Sequence, residues 1–297
     1  IMGKSRVKRG EPMSRHTSFK IGGPADLLAC PETQAQLLYC YRTGREYGLP
    51  VLLMGNGSNL LVGDGGIRGM FLKTAGGYED IAFDGERVRV QSGMLLSRLT
   101  NTALRHGLTG LEFACGIPGT LGGAVVMNAG AYGGQMADVV ETVTAYDPQT
   151  DTVRTFDADE LDYGYRHSIF RDNDMIVLEA TLRLIRGSAA QSRETVKDLN
   201  CRRRDKQPLN MPSAGSVFKR PEGYYAGTLI QESGCKGMRA GDAMVSEKHA
   251  GFIVNVGKAT AKDVLDLIEQ IRKTVHEKAG VWLEPEIHIV GEMPDKN

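Results

Sequence analysis

A glycine-rich segment at residues 116–134, GIPGTLGGAVVMNAGAYGG, offers backbone chemistry more than side-chain chemistry. Its only polar side chains are one Thr, one Asn and one Tyr. We therefore expect this segment to act through its exposed backbone groups and not through buried side chains. Glycine permits φ > 0 and close approach to a ligand, while Pro118 fixes one φ. Successive N–H groups in such turns form anion-binding concavities, and a pyrophosphate is the usual occupant. The alternative is a set of tight turns without a ligand.

A second loop of this kind lies upstream at residues 55–59, GNGSN, between short apolar runs at 51–54 and 60–62. The pattern predicts a strand, a polar glycine loop and a second strand, and by itself it also fits a hairpin, because Asn-Gly is a strong turn signal. Two such loops in one half of the chain favour a shared ligand with a diphosphate. Neither loop matches GxGxxG opening a helix or GxxxxGK[ST], which disfavours a Rossmann or a P-loop protein.

Three further segments carry side chains that suit catalysis. Arg166 lies in YRHSIFR at 165–171, just before a strongly apolar run, so it is expected at the rim of a sheet or, alternatively, in a surface ion pair. Ser216 lies between a glycine and a short apolar run; a lone serine there is usually a turn residue, and no GxSxG is present. Glu286 follows a proline in LEPEI at 283–287; an exposed carboxylate there is ordinarily just solvated, but a rigid proline at the start of a strand can aim one.

These segments must be positioned by a strand-rich framework. Alternating β-branched residues predict strands at 68–73, 87–92, 139–146, 152–156 and 174–185. A helix is predicted over 33–47. A charged helix at 191–206 leads into the last third of the chain, where we place the domain boundary.

The last third reads as an α+β unit. Thr260 and Asp263 form a capping box ahead of an apolar stripe at helical spacing, and Gly280 closes that helix. Strands are predicted at 251–256 and 286–290 on either side of it.

Composition excludes several classes of partner. The chain has 297 residues, enough for two domains, with 36 Lys plus Arg against 36 Asp plus Glu. This balance gives no electrostatic reason to bind nucleic acid or an anionic membrane. No apolar run approaches the roughly 18–20 residues of a membrane span, and the basic N-terminus lacks the hydrophobic segment of a signal peptide. We therefore expect a cytoplasmic protein without nucleic-acid partners or membrane insertion.

The cysteines give no support to a disulfide framework or a zinc site. There are five, none in CxxC: Cys30, Cys40, Cys115, Cys201 and Cys235. Cys115 adjoins the glycine-rich segment, and we expect it to be a packing residue, not a nucleophile or a flavin attachment point.

Seven motifs in order resemble the UDP-N-acetylenolpyruvoylglucosamine reductases, flavoenzymes of peptidoglycan precursor synthesis. The motifs are SFKIGGPA at 18–25, GNGSNLL at 55–61, GIPGTLGGA at 116–124, NAGAYG at 128–133, YRHSIF at 165–170, AGSVFK at 214–219 and LEPEI at 283–287. Together they span about residues 15–292. The chain runs directly from residues 171–174 into a strand, where longer members insert a tyrosine-bearing lid, so it resembles the shorter, second type.

The resemblance implies an α+β fold in two parts. An FAD-binding domain of the vanillyl-alcohol-oxidase-like (PCMH-type) class is expected at 22–186, and a smaller C-terminal α+β substrate domain at 200–297. An N-terminal segment at 1–21 is expected to pack on the FAD-binding domain. No oligomer is implied.

The resemblance also implies FAD as cofactor and NADPH as co-substrate. Covalent relatives carry a histidine in the first glycine loop, and residues 55–66 contain none, so dissociable FAD is expected. The implied FAD contacts are Thr17, Ser18, Gly55, Asn56, Gly57, Ser58, Asn59, Gly116, Ile117, Pro118, Gly119, Thr120, Gly122, Gly123, Asn128, Ala129, Gly130, Ala131, Ile176 and Val177.

The implied reaction passes a hydride from NADPH to flavin N5 and then to the vinyl carbon of the enolpyruvyl sugar nucleotide. Arg166 and Glu286 are implied to stabilise the resulting enediolate, and Ser216 to donate the proton that completes the lactyl ether. The implied substrate contacts are Tyr165, Lys206, Arg220 and His249. Lys206 corresponds to a lysine for the UDP diphosphate, whereas Arg220 stands where some members carry asparagine, so uridine recognition is expected to differ.

Two rival functions share part of this pattern. A flavin oxidase of a small alcohol or sugar would share the FAD loops but react with oxygen, and the motifs around Arg166, Ser216 and Glu286 argue against it. A nucleotide-binding module without catalysis would share only the glycine loops. The absorbance of bound flavin and its turnover with substrate distinguish the reductase, the oxidase and the binding module.

Overall fold

This computed structural model describes residue 3 and residues 6–293. The strands are β1 (Val7–Pro12), β2 (Pro24–Ala29), β3 (Val51–Met54), β4 (Leu60–Val62), β5 (Ile67–Lys73), β6 (Ile81–Asp84), β7 (Arg87–Gln91), β8 (Leu108–Thr109), β9 (Gly130–Ala131), β10 (Gly134–Gln135), β11 (Val140–Asp147), β12 (Thr152–Asp157), β13 (Ile176–Arg183), β14 (Ile185–Arg186), β15 (Arg239–Ala240), β16 (Ala243–Val245), β17 (Ile253–Asn255) and β18 (His288–Val290). The α-helices are α1 (Gln34–Glu46), α2 (Leu96–Arg105), α3 (Leu121–Val126), α4 (Ala189–Lys206), α5 (Ala226–Glu232) and α6 (Ala261–Ala279).

The two larger sheets of the protein lie in the first two thirds of the chain. One has the order β1-β2-β5-β3, with β2 and β3 parallel to β5 and β1 antiparallel to β2. The other is antiparallel, with the order β12-β11-β13-β7-β6. Leu37 and Tyr41 of α1 share one buried cluster with Leu72 of the first sheet and with Tyr146 and Leu178 of the second. The helix therefore joins the two sheets, and the predicted helix and strands of this part are confirmed to within a few residues.

The centre of the glycine-rich segment is a buried helix, so the expectation that it serves only as bare backbone is wrong there. Helix α3 begins directly after Thr120, and Leu121 and Val125 are fully buried in the core that covers the antiparallel sheet. A Cβ on Gly122 would lie 2.8 Å from the Cβ of Ser92. Glycine is required at this position because the helix contacts the chain just after β7.

The C-terminal part is built around the three-stranded sheet β15-β16-β17 and helix α6. The predicted capping box is confirmed, since the Thr260 side chain accepts from Asp263 N and the Asp263 side chain accepts from Thr260 N. Gly280 follows α6 at φ 69°, as a left-handed C-cap requires. The carboxylate of Asp64, on the loop after β4, accepts from the Ala261 N–H at 2.8 Å and so ties the start of α6 to the N-terminal part.

Segments near both ends of the described chain pack against the other part of the protein. Strand β18 pairs in parallel with β4, and Phe19, Ile21 and Leu61 belong to the hydrophobic cluster of the C-terminal part. The boundaries predicted at 21, 186 and 200 stay predictions, and residues 1, 2, 4, 5 and 294–297 lie outside the described residues. The crossing brings the segment that contains Glu286 against the loop at 55–59.

None of the helices in the described part combines the length and apolar character that a membrane crossing needs.

Candidate active site

Arg166 lies at the tip of a tight turn. The N–H of Gly164 donates to His167 O at 3.2 Å and the His167 N–H donates back to Gly164 O at 3.3 Å. Arg166 has φ 56°, a left-handed conformation that costs an arginine on the order of 1–3 kcal/mol and that clusters at functional sites. The turn is held from the glycine-rich segment, because Asn128 Nδ2 donates to Gly164 O at 3.0 Å and Arg166 Nη2 donates to Gly130 O at 3.3 Å.

Glu286 is held by its backbone between two loops. Its N–H donates to Val217 O at 2.7 Å, and its carbonyl accepts from Asn59 Nδ2 at 3.2 Å. The carbonyl of Asn59 accepts in turn from the N–H of His288 at 2.9 Å. The segment that carries the acid, just before β18, is therefore fixed to the first glycine loop, and the Glu286 side chain is 14% exposed.

Ser216 lies on an extended segment that pairs on both sides. It forms a β-bridge with Phe252, and the N–H of Val217 donates to Gly251 O at 2.9 Å, while the Val217 carbonyl accepts from Glu286. Gly215 precedes it at φ 79°, which favours glycine. A Cβ on Gly251 would lie 3.3 Å from Ser216 Oγ, so the missing side chain leaves the exposed hydroxyl accessible.

Arg166 and Glu286 form an ion pair, with Arg166 Nε donating to Glu286 Oε1 at 2.9 Å. Burial raises the pKa of the Glu286 carboxyl above its ordinary value, and the Arg166 guanidinium opposes this rise. The protonated form of the carboxyl therefore persists to higher pH than in an exposed glutamate. A cation and a carboxyl that can carry a proton meet at one point, as stabilisation of a developing carboxylate-like anion requires.

These three side chains line one cavity of about 470 Å³. Of the four predicted substrate contacts, Tyr165, Arg220 and His249 line it too. The cavity also contains side chains that the sequence reasoning missed: Tyr225, Thr228, Gln231 and Lys248. The only sequence signal for this group is the tyrosine pair in GYYAG just before α5.

Lys206 does not line this cavity. It is the last residue of α4 and its side chain is exposed. Lys248, which does line the cavity, donates from Nζ to Arg204 O at 2.6 Å. The last turn of α4 therefore lies against the edge of the cavity.

His249 is a neutral donor in the cavity wall. Burial lowers the pKa of its imidazole. The N–H of Gly251 donates to Nδ1 at 3.1 Å, so Nδ1 carries no proton and the neutral ring carries its proton on Nε2. His249 can therefore donate a hydrogen bond without bringing a charge.

The two predicted glycine loops lie against each other. Asn56 Nδ2 donates to Pro118 O at 2.7 Å, and a Cβ on Gly55 would collide with Thr120 Oγ1. On Gly119 a Cβ would meet nothing nearer than Ser58 Oγ at 3.7 Å, and on Gly123 nothing nearer than Thr120 Oγ1 at 3.8 Å. The loop backbone is thus open on one side, which fits a bound diphosphate.

Several other predicted FAD contacts have structural partners. Thr17 Oγ1 donates to Ile21 O at 2.9 Å, and the Ser18 hydroxyl donates to Ser213 O at 2.6 Å while its N–H donates to Gly57 O at 3.1 Å. Ser18 therefore connects the first glycine loop with the segment before Ser216.

The remaining predicted contacts lie around the second loop and β13. Ile117 packs partly buried on the core of the antiparallel sheet; the Ala129 N–H donates to Ala124 O; Gly130 and Ala131 form β9. Ile176 and Val177 have buried side chains in two different clusters, so any contact with a cofactor must use their backbone.

Arg203 on α4 is a loop-supporting residue that the sequence reasoning missed. It is 9% exposed, and its Nη1 donates to the carbonyl of Gly116, where the second glycine loop begins. Its charge lies over the ring of Tyr132, with Cζ 5.9 Å from the centroid. Cys115, next to this contact, is buried, and burial raises the pKa of its thiol, as expected for a packing residue.

Comparison with known proteins matches both parts of the chain. The FAD binding domain family matches residues 25–156, and the UDP-N-acetylenolpyruvoylglucosamine reductase, C-terminal domain, matches residues 207–290. The UDP-N-acetylenolpyruvoylglucosamine reductase of Alkaliphilus oremlandii is 52% identical, over 98% of this chain and 96% of that protein. That of Caldanaerobacter subterraneus is 50% identical with the same coverage. The chain belongs to the family of UDP-N-acetylenolpyruvoylglucosamine reductases.

A solved structure agrees with the reductase family. The crystal structure of UDP-N-acetylenolpyruvylglucosamine reductase from Thermus caldophilus superposes with a TM-score of 0.81 at 37% identity, covering 97% of this chain and 99% of that one. The predicted fold class, an FAD-binding domain of the PCMH type with a C-terminal α+β domain, is confirmed. The enzyme is an FAD-containing oxidoreductase of peptidoglycan synthesis.

The FAD should be dissociable. The first glycine loop contains no histidine, and Cys115 beside the second loop is buried with a raised thiol pKa, which disfavours a covalent bond to flavin. We expect the purified enzyme to be yellow, with one FAD per chain that acid or heat releases intact. Absorbance of the supernatant after acid precipitation measures this, and flavin retained on the denatured protein would contradict it.

Proposed function

We propose that the enzyme reduces the enolpyruvyl ether of UDP-N-acetylenolpyruvoylglucosamine to the lactyl ether of UDP-N-acetylmuramate, with NADPH as reductant. The observation that carries this proposal is that Arg166, Ser216 and Glu286 line one cavity. The backbone of Glu286 is fixed to the first glycine loop through Asn59. Bound FAD would supply the redox chemistry by relaying a hydride from NADPH to the vinyl carbon of the substrate. The side chains of the protein would then stabilise the negative charge that develops on the substrate and donate the proton that completes the product.

Arg166 and Glu286 would stabilise the enediolate. When the vinyl carbon gains a hydride, negative charge develops on the carbon next to the carboxylate and spreads into that carboxylate. Arg166 would present a permanent cation, and Glu286 would present a carboxyl whose pKa is raised by burial, so that it takes up a proton at higher pH than an exposed glutamate does. Because the turn holds Arg166 and the backbone contacts with Val217 and Asn59 hold Glu286 in advance, little reorganisation is needed when the charge appears.

Ser216 would donate the proton that converts the enediolate to the lactyl ether. Its hydroxyl makes no hydrogen bond to a protein group within residues 6–293, so it is available to a substrate. Ser216 is exposed, and solvent can return its proton after each turnover.

Lys206 would hold the diphosphate of the substrate beyond the mouth of the cavity. Its ammonium has no ion pair among the described residues, and the end of α4 is fixed at the cavity edge by the contact of Lys248 with Arg204. An unpaired ammonium suits phosphate as a point charge.

Lys206→Ala should therefore raise the Michaelis constant for the sugar nucleotide about tenfold, the loss expected for one charge-assisted hydrogen bond, with little change in turnover number. Steady-state kinetics measure both constants. Lys197→Ala, which removes another exposed lysine from the same helix, is the control. An unchanged Michaelis constant for Lys206→Ala would remove this lysine from the site.

The proposed reaction is tested by turnover with defined substrates. With enzyme, NADPH and UDP-N-acetylenolpyruvoylglucosamine under argon, we expect NADPH consumption and a product heavier by two hydrogen atoms in mass spectrometry. The rival flavin oxidase would need oxygen and would not consume the enolpyruvyl substrate. A binding module would oxidise no NADPH.

A further inference from the structure

A second arginine, Arg171, contacts the turn that carries Arg166. Its Nη1 donates to the carbonyl of Arg166 at 2.7 Å, and the same nitrogen lies 3.8 Å from the sulfur of Met127, just after α3. The left-handed conformation of Arg166 is costly for a residue other than glycine, so it persists only where surrounding contacts hold it. Arg171 supplies one of these contacts directly at the Arg166 backbone.

The segment that carries Arg171 is anchored in the core. Residues Ile169–Arg171 form a single helical turn. Ser168, just before it, is fully buried, and its hydroxyl donates to Val126 O at 2.8 Å. Phe170 is buried and packs edge-on against Phe156, with ring centroids 5.5 Å apart. The guanidinium of Arg171 therefore starts from a fixed backbone and can hold the Arg166 turn in place.

The charge of Arg171 is directed towards the acid of the site. Burial raises the pKa of the Glu286 carboxyl, and three cations oppose that rise: Arg166, Arg171 and Lys219. Arg166 pairs with Glu286 itself and Lys219 pairs with Glu284. Within residues 6–293 no carboxylate forms an ion pair with Arg171, so its charge remains unneutralised.

The other titratable groups near this acid do not change that balance. His288 is neutral, because burial lowers the pKa of its imidazole and Arg171 and Lys219 lower it further. In the described part of the chain, none of the remaining titratable side chains of the cavity shifts the pKa of Glu286; they are Tyr165, Arg220, Tyr225, Lys248 and His249.

We propose that Arg171 is a positioning residue for the pair of Arg166 and Glu286: it holds the Arg166 backbone and adds a fixed positive charge behind the pair. Arg171 does not line the cavity, so it acts through these two side chains and not by contact with the substrate. A cation held in advance lowers the cost of reorganisation when negative charge develops. This assignment rests on the proposed function, because the charge that it serves arises in that reaction.

Arg171→Gln should slow reoxidation of the reduced flavin by the enolpyruvyl sugar nucleotide by about 10- to 100-fold, since a displacement of about 1 Å near a reacting group can cost 10²-fold. Reduction of the flavin by NADPH should stay near its normal rate. Anaerobic stopped-flow absorbance measures both steps. The matched control is Arg186→Gln, which removes an exposed arginine of β14 that does not line the cavity. Equal flavin absorbance per chain shows that all variants are folded and loaded with FAD.

Arg171→Gln should also move the titration of Glu286 to higher pH, because the variant lacks one cation that lowers the pKa of this carboxyl. Infrared difference spectroscopy of the oxidised, FAD-loaded enzyme measures this without substrate. The C=O stretch of the protonated carboxyl is assigned to Glu286 by its loss in Glu286→Gln and is followed against pH. Arg171→Lys keeps the charge, so its titration should lie close to that of wild type and part of the rate should return.

The inference and the proposed function fail in different ways. If wild type reduces the enolpyruvyl substrate but Arg171→Gln matches Arg186→Gln in either the reoxidation rate or the Glu286 titration, the role of Arg171 is overturned and the reaction stands. Loss of FAD from Arg171→Gln and Arg171→Lys alike would overturn it too, because the residue would then serve the fold. If the infrared titration shifts as expected but wild type does not reduce the enolpyruvyl substrate, the link between Arg171 and Glu286 stands and the proposed reaction is wrong.

Discussion

Replacing Ser216 with alanine should leave reduction of the bound flavin by NADPH near its normal rate and slow reoxidation by the enolpyruvyl sugar nucleotide by about 10²–10⁴-fold, the range for loss of a general acid. The reason is that, in the proposed reaction, the hydroxyl acts only after the substrate has gained its hydride. Stopped-flow absorbance under anaerobic conditions measures the two half-reactions separately. Ser216→Cys, which keeps a transferable proton, should recover part of the loss.

A nearby serine provides the control for this prediction. Ser213 lies three residues earlier in the same segment and contacts Ser18 through its backbone carbonyl, and it does not line the cavity. Ser213→Ala should therefore leave both half-reactions unchanged. Equal damage to both half-reactions in Ser216→Ala, or no damage to the second, would mean that Ser216 is a structural loop residue.

Glu286→Gln and Arg166→Lys should each slow reduction of the enol ether by roughly 10²–10³-fold while leaving FAD content normal, because each weakens one preorganised donor to the enediolate: glutamine replaces the acidic O–H by an amide N–H, and lysine lacks the planar guanidinium fork. The lysine keeps the charge of Arg166 but loses the Nε contact with Glu286. Glu284→Gln is the matched control, since Glu284 lies two residues away, is exposed, pairs with Lys219 and does not line the cavity. Loss of FAD from either site variant would indicate a structural role.

The same carboxyl gives a pH dependence with a defined sign. Burial raises the pKa of Glu286, so its protonated, donating form is present below that raised value and is lost as pH rises through it. The second half-reaction should slow over this window in wild type, and the slowing should be absent in Glu286→Gln. Because the folded-state pKa is raised, the contribution of Glu286 to stability is also largest at low pH and falls as pH rises. Glu286→Gln should therefore remain folded at neutral pH.

Local patterns in the sequence predicted the helices and strands well where apolar residues recur at a regular spacing. The apolar stripe of α6 and its capping residues Thr260, Asp263 and Gly280 mark that helix and both of its ends in the sequence itself. Helix α3 was missed because glycine lowers helix propensity, and tertiary packing of Leu121 and Val125 overrides that tendency. Strand β1 was missed because VKRGEP is polar and contains Gly and Pro, and it lies at the edge of its sheet.

The site was predictable as a set of residues but not as a geometry. The motifs around Arg166, Ser216 and Glu286 marked three side chains, yet their meeting depends on pairing between residues far apart in the chain, such as Val217 with Glu286 and Glu286 with Asn59. No local pattern encodes those contacts. For the same reason the sequence pointed to Lys206 as a substrate contact, whereas Tyr225 and Lys248 could be found only from the cavity that they line.

The central claim is that the cavity formed by Arg166, Ser216 and Glu286 reduces the enolpyruvyl ether with electrons from NADPH. An anaerobic titration tests it most directly: one equivalent of NADPH is added to the yellow enzyme, followed by UDP-N-acetylenolpyruvoylglucosamine, while the flavin absorbance is recorded. We predict that NADPH bleaches the flavin and that one equivalent of the enolpyruvyl substrate restores its colour under argon, with formation of the lactyl ether. A flavin that stays bleached with this substrate and regains its colour only in air would contradict the account.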